Sequence, residues 1–219
     1  TMAWKGHMLM KKKNSSGKPI RVGVFGIGRG GAFTGPGAKA AGFELVALCD
    51  KNAAGLKHAS KLHSVKGYTD FDKFLEHDMD AVVLANYFHQ HAPYAVKALK
   101  AGKHVMSETA ACHTLGEGVE LVRTVEQAGR TYMFAENYAF TAARQEMRRV
   151  FMTGEFGTFM YGEGEYVHPM DADTGNSLSI GCNHWRNWIP ATYYCTHALS
   201  PIMYITETMP VKVNGFVIR

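Results

Sequence analysis

The chain has 219 residues, of which 46% are hydrophobic and 20% charged, with a formal net charge of +5. Lys5, Lys11, Lys12, Lys13 and Lys18 all lie in the first nineteen residues, where there is no acid, so they account for the whole excess. The remainder is near neutral, which sets nucleic acid aside as a partner. No apolar run is long enough to span a bilayer, so a membrane is not expected as a partner either.

The opening "TMAWKGHMLMKKK" places its charges after a short apolar part, the reverse of a secretory signal. Residues 1–19 are read as a basic, flexible tail, and a cytoplasmic location is expected; a leader removed before residue 1 would place the protein in the periplasm or outside the cell. Cys49, Cys112, Cys182 and Cys195 are scattered without a CxxC pair, as in a protein with reduced thiols. Cys182, His184, Cys195 and His197 do not have the spacing of usual zinc motifs, and no metal is expected.

Between residues 20 and 135, short apolar runs alternate with helical patterns. The runs are "IRVGVFG", "FELVALCD", a weak "SVKGY", "DAVVLANY", "KHVMSE" and "RTYMFAEN". Helices are predicted over 31–41, 53–62, 71–76, 92–101 and 115–128. Near-continuous apolar strands alternating with helices predict an α/β fold with a parallel sheet covered on both faces. Thr114 followed by Glu117 fits a capping box opening a helix. "KAGKHV" and "QAGRTY" place glycine where a left-handed helix end is needed. The domain over 20–138 is therefore read as a dinucleotide-binding Rossmann domain.

From residue 139 the pattern changes. "FTAARQEMRRVFMTG" reads as a helix ending at Gly154 and "GTFMYGEGEYVH" alternates as a half-exposed strand does. A Gly-, Asp-, Asn- and Trp-rich loop over 169–190 follows, then a helix over 197–206 and a last strand, "VKVNGFVIR". Met147, Met152, Met160 and Met203 read as core filler. Two strands, a long loop and one helix would be marginal alone. Residues 139–219 are thus expected to be the start of an α+β substrate and oligomerisation domain that is truncated here.

"RVGVFGIGRGG" is the most specific motif. Gly26, Gly28 and Gly31 give G-x-G-x-x-G after a strand and at a helix start. The first glycine permits the turn, the second lets the backbone approach a pyrophosphate, and the third lets helix and strand pack closely. The helix N-terminus offers free N–H groups to phosphates. Asp50 closes the second strand 24 residues after Gly26, near the expected spacing of about 20. A carboxylate there bonds ribose hydroxyls and repels a 2′-phosphate, so the expected cofactor is NAD. Arg29 and Lys51 stand beside this site and pull toward NADP.

On the glycine loop, on "YTDFDKFLEHDMDAVVLANYFHQHAPYAVKALKAGKHVMSE" and on "GEFG", the chain resembles the glucose-fructose oxidoreductase/inositol dehydrogenase/MocA-like family over residues 20–219. The resemblance implies that Asn86 to His89 line the nicotinamide side of the cofactor and that the strand ending at Glu108 closes the pocket. Ordinary dehydrogenases of that family carry Glu-Lys-Pro where this chain has Glu108-Thr109-Ala110. Their lysine helps remove the hydroxyl proton during hydride transfer, and Thr109 cannot do so.

The NAD-dependent glycosidases of the α-N-acetylgalactosaminidase type resemble this chain better. They share its Glu136-Asn137, its "GEGEYVH" with Tyr166 and His168, its Trp185-Arg186, and its "YCTH" from Tyr194 to His197. That resemblance implies catalytic Tyr166, His168, Tyr194 and His197, substrate contacts from Glu136, Trp185 and Arg186, and Asn137, Glu108 and Thr109 beside the cofactor. It also implies a carbohydrate substrate and a homo-oligomer built through the second-domain sheet. The region 169–190 departs from the pattern in length and detail.

The implied chemistry is redox-neutral. Transient oxidation at a sugar C3 acidifies C2–H, the C1 substituent leaves by elimination, water adds back and the hydride returns to C3; this is the NAD-dependent exception to two-carboxylate glycosidases. Tyr166 and His168, two apart on a strand, would share a face. Tyr194 and His197, three apart, would share one if helical. The plainer readings are that these are core or surface residues, that Trp185, Trp188, Tyr193 and Tyr194 form a domain-interface cluster, and that His89 and His91 cap a helix. Two other functions stand beside cleavage: a sugar or cyclitol dehydrogenase with net NADH formation, and a non-catalytic NAD- or sugar-binding protein.

Overall fold

The computed structural model describes residues 17–217. The basic tail expected over 1–19 lies outside that range but for its last three residues. Six strands form one parallel sheet: β1 (Ile20–Phe25), β2 (Phe43–Cys49), β3 (Lys66–Tyr68), β4 (Ala81–Leu84), β5 (His104–Ser107) and β6 (Tyr132–Phe134), in the order β3-β2-β1-β4-β5-β6. The order reverses at β1, so a crevice opens there at the carboxyl ends of the strands.

The strands are apolar on both faces because helices cover both. Val22, Val24, Val82, Val83 and Val105 are buried to within 1%, each worth about 1.5–3 kcal/mol relative to exposure. Helix α3 (Ala53–His63) lies against β2 and β3, and Leu56 joins the cluster of Val22, Val24, Leu48 and Val83. On the other face, α4 (Phe71–Leu75) supplies Phe71 and Phe74, and α5 (His91–Lys100) supplies Ala92, Ala95, Val96, Ala98 and Leu99. Helix α6 (Leu115–Ala128) opens with the expected capping box: the Thr114 hydroxyl accepts the Glu117 N–H, and the Glu117 carboxylate accepts the Thr114 N–H.

The segment after the glycine loop is broken rather than one helix over 31–41. It runs as α1 (Ile27–Gly30), a 3₁₀ turn at Gly31–Phe33, and α2 (Pro36–Ala40). Pro36 sits at the start of α2 and holds Gly35 extended, which forces a new helix to begin.

Beyond β6, α7 (Ala142–Phe151) and α9 (Cys195–Thr206) form where helices were predicted and pack on each other. Arg148 of α7 reaches the Tyr204 carbonyl and the Glu207 carboxylate. The predicted strands do not form: residues 158–168 and 212–217 carry no ladder among the described residues. A strand exists by pairing, and neither segment finds a partner. The 169–190 loop holds α8 (Ala172–Leu178) and a 3₁₀ turn at Trp185–Asn187. Met147, Met152 and Met160, expected in a core, are exposed among the described residues.

Candidate functional site

The parallel ladder brings the site together. The Gly26 N–H bonds the Cys49 carbonyl, Ala85 N–H bonds Phe25, Glu108 N–H bonds Leu84, and Ala135 N–H bonds Ser107. The glycine loop and the ends of β2, β4, β5 and β6 therefore lie along one edge of the sheet.

At Gly26 the backbone is left-handed, with φ +95°, and a Cβ would stand 2.4 Å from the Ala85 carbonyl oxygen. Only glycine meets both demands. At Gly28 a Cβ would meet nothing within 4 Å, so the loop faces open space where a pyrophosphate could approach. The close-packing role expected of Gly31 belongs to Gly30. A Cβ on Gly30 would lie 2.6 Å from Val24, whereas one on the exposed Gly31 would meet nothing.

Asp50 Oδ2 accepts the Ile27 N–H at 2.9 Å and Oδ1 accepts the Asn52 N–H at 2.8 Å. The carboxylate is thereby fixed beside the glycine loop, and each oxygen keeps a lone pair for a ribose hydroxyl. Arg29 Nε donates to Glu108 Oε1 at 2.8 Å, linking the loop after β1 to the end of β5. Asn86 Oδ1 and His89 Nδ1 are buried with no hydrogen-bond partner. Burial holds the His89 imidazole below its ordinary pKa, and His113 adds to this. An open cradle, a fixed carboxylate and two orphaned polar atoms at the crevice fit a dinucleotide with its amide end toward β4. Thr109 is buried.

At the end of β6, Glu136 lies buried with both carboxylate oxygens on His197 Nδ1, at 2.7 and 2.8 Å. Glu136 Oε1 also accepts the Tyr138 N–H. The carboxylate, expected to hold substrate, is instead occupied by the imidazole of α9. Around His197, Tyr138 stacks at 4.4 Å between centroids, Tyr166 meets it edge-on at 4.7 Å, and Tyr194 lies at 5.6 Å. Tyr166 and Tyr194 stack on each other at 5.5 Å.

Tyr166 reaches this cluster although its segment has no ladder. A Cβ on Gly164 would lie 2.1 Å from the Ala198 carbonyl oxygen, so the segment rests directly on the backbone of α9. Burial pushes the Tyr166 phenol up, with Tyr138 and Tyr194 adding to it, while Arg186 and Arg29 oppose it. His168 is exposed, 5.9 Å from the Tyr166 ring, and Asn137 is exposed beside Glu136.

Trp185 is buried, stacked on Phe88 at 4.8 Å and packed with Ala110, Tyr193 and Tyr194. Its indole forms a wall between the sheet and the second region, which is the interface alternative rather than a free platform for a sugar. The Arg186 guanidinium lies 4.5 Å over that indole and is itself exposed. Tyr193 O–H donates to the His113 carbonyl at 2.5 Å, a second tie across the same junction. Among the described residues, no group of three or more His, Cys, Asp or Glu side chains is placed to hold a metal ion.

Sequence reasoning did not single out His91 as part of this architecture. It is 1% exposed, with Nδ1 2.9 Å from the Ala110 carbonyl and Nε2 3.2 Å from that of Asn86. Tyr138 was missed as well; the only sequence signal was its place next to Asn137.

The family described as "Oxidoreductase family, NAD-binding Rossmann fold" matches residues 20–136. Over 214 residues the chain is 29% identical to a protein of Saccharopolyspora erythraea named as a glycosyl hydrolase family 109 protein; the match covers 90% of this chain and 46% of that one. Among solved structures, the WlbA dehydrogenase of Bordetella pertussis in complex with NADH and UDP-GlcNAcA is similar, with a TM-score of 0.60 and 28% identity over 64% of this chain and 41% of that one. So is the scyllo-inositol dehydrogenase of Lactobacillus casei with bound NAD(H) and scyllo-inositol: TM-score 0.59, 25% identity, 64% of this chain and 43% of that one. The chain spans just under half the length of the curated relatives it matches. No described helix is long and apolar enough to cross a membrane.

Proposed function

The chain belongs to this family of NAD-binding oxidoreductases, and on that premise we propose that it acts on a carbohydrate by redox-neutral cleavage of a glycosidic bond. The observation that carries the reading is the buried Glu136–His197 pair, ringed by Tyr138, Tyr166 and Tyr194, in a chain whose Thr109 cannot do the work of a family dehydrogenase's lysine. The likeness to the Saccharopolyspora protein supports it.

When bound, NAD supplies a hydride acceptor and donor for transient oxidation at a sugar C3. The remaining chemistry is proton transfer by this chain. Glu136 accepts from His197 Nδ1–H, which fixes the tautomer and presents Nε2 as the base for a sugar hydroxyl. Tyr166, kept protonated by its buried aromatic surroundings, donates to the departing C1 oxygen. Tyr194, stacked on Tyr166, takes the C2 proton as a phenolate after passing its own proton to solvent, and Arg186 orients the sugar from the rim. His168 belongs to the same face with a lesser share. Gly26, Gly28, Asp50, Asn86, His89 and Glu108 hold the cofactor. Residues 20–138 then form the cofactor domain and 139–219 part of the substrate domain.

The four free cysteines support the cytoplasm. Exposed Met160, Tyr161, Val167, Val213 and Phe216 support assembly with another copy through this face. The similarity to the WlbA and scyllo-inositol dehydrogenases favours a second reading, a dehydrogenase with net NADH formation.

The test follows nitrophenol release from a panel of nitrophenyl glycosides and NADH absorbance in one cuvette. Nitrophenol without accumulating NADH is the expected result. NADH without nitrophenol means a dehydrogenase with an imidazole base, and silence in both leaves the substrate open and moves weight to the binding-protein reading. His197→Phe should lower turnover by about 10²–10⁴-fold, the usual weight of general acid–base catalysis, with NAD still bound. Asp50→Ala should weaken NAD binding sharply; unchanged affinity would remove the carboxylate from the cofactor site.

A further inference from the structure

His91 is the first residue of α5, yet its side chain turns inward and is 1% exposed. Its two ring nitrogens meet carbonyl oxygens from two different strand ends: Ala110, three residues past β5, at 2.9 Å, and Asn86, two residues past β4, at 3.2 Å. The same two turns hold Asn86 and His89 on one side and Glu108 and Thr109 on the other. Beyond Leu84 and Ser107 the β4–β5 ladder closes with the Glu108 N–H on the Leu84 carbonyl. Past that bond the imidazole is what spans the gap.

We propose that His91 is a positioning residue that sets the separation of the β4 and β5 turns, and through them the width of the nicotinamide side of the crevice. This rests on the reading of those turns as the cofactor's nicotinamide end. The neutral imidazole has a single N–H, so it donates to one of the two carbonyls while its ring fills the space to the other. An apolar side chain of similar size would fill the volume and leave the bonded carbonyl buried without a donor. Such orphaned acceptors do not stay in place; the turns move to find other partners. A structural core residue would affect the whole sheet. A spacer for these turns affects one half of the cofactor and not the other, because the adenosine half lies at β1, β2 and Asp50.

The experiment measures the dissociation constants of NAD and of AMP by calorimetry on the full chain as wild type, His91→Phe and His91→Gln. AMP occupies only the adenosine half. In His91→Phe, NAD affinity should fall by roughly ten- to a hundredfold, the size expected for orphaning a buried acceptor, with AMP affinity unchanged. The two N–H groups of glutamine can serve carbonyls, so His91→Gln should recover much of the NAD affinity. Equal losses for NAD and AMP, or NAD affinity unchanged in His91→Phe, would overturn the proposal. If His91→Phe does not fold, His91→Gln against wild type carries the test: a change in NAD affinity without a change in AMP supports it, and no change in either or an equal change in both overturns it. Wild-type protein that binds neither ligand would instead remove the cofactor reading beneath it.

Discussion

The sheet and the region that follows it treat the same kind of residue in opposite ways. In β1 and β4, Val22, Val24, Val82 and Val83 are at most 1% exposed, while in the second region Tyr161, Val167, Val213 and Phe216 are at least 75% exposed. Both stretches are rich in β-forming residues. The difference is whether a neighbouring strand and a covering helix are present. In the sheet β1 and β4 have both, so position is set by many bonds at once. In the second region the extended segments have no ladder, and position is set by single close approaches such as Gly164 on α9. The cofactor cradle thus stands on the ladder, while Tyr166 stands on the Gly164 approach and on ring contacts with Tyr138, Tyr194 and His197.

The largest effect should come from Gly26→Ala. The new Cβ meets the Ala85 carbonyl at 2.4 Å, and φ of +95° is itself unfavourable for alanine. The ladder leaves neither side free to give way. We expect a loss of more than about 3 kcal/mol in chemical denaturation, with NAD binding lost. A smaller loss would mean that the sheet edge is softer than the ladder implies.

Gly164→Ala sharpens the comparison because its clash is the tighter one, 2.1 Å from the Ala198 carbonyl. Here the segment carries no ladder and can swing away. We expect a stability loss of only about 1 kcal/mol, NAD affinity unchanged, and turnover reduced by roughly a hundredfold as Tyr166 leaves His197. A stability loss as large as that of Gly26→Ala would show that the segment is held as firmly as the strands.

The sequence makes the sheet legible and the site only half so, for the same reason. Parallel strands, a capping box at Thr114 and a carboxylate at Asp50 depend on local chemistry and fixed spacing. The alternation of "GTFMYGEGEYVH" has the period of a strand, but pairing is supplied from outside the segment, so the pattern alone overstates it. Glu136 and His197 are 61 residues apart, and nothing local announces that one carboxylate will face one imidazole rather than a sugar. Gly30 and Gly31 are neighbours of identical chemistry, and only the helix rotation decides which one faces Val24. His89 and His91 pose the same problem: two histidines two apart, one left with an orphaned nitrogen and the other spanning two turns.

The smallest effect expected is a pH dependence to which the turns at the sheet edge contribute, beside His77 and His184, whose pKa burial also lowers. Burial holds His91 and His89 below the ordinary histidine pKa of 6.5; backbone carbonyls of Ala110 and Asn86 and the Glu108 charge pull His91 the other way, as Glu117 does for His89. Both histidines belong to the turns at the sheet edge. The unfolded chain therefore binds protons below pH 6.5 that the folded chain refuses, so stability is full above that value and declines as pH falls through the lowered folded values. Thermal midpoints from pH 7.5 to 5.0 should drop by roughly 2–4 °C for each kcal/mol lost. His91→Gln removes one of these groups and should flatten the decline. A decline equally steep in His91→Gln would assign the pH dependence to other groups and leave the turns at the sheet edge without a measurable share in it.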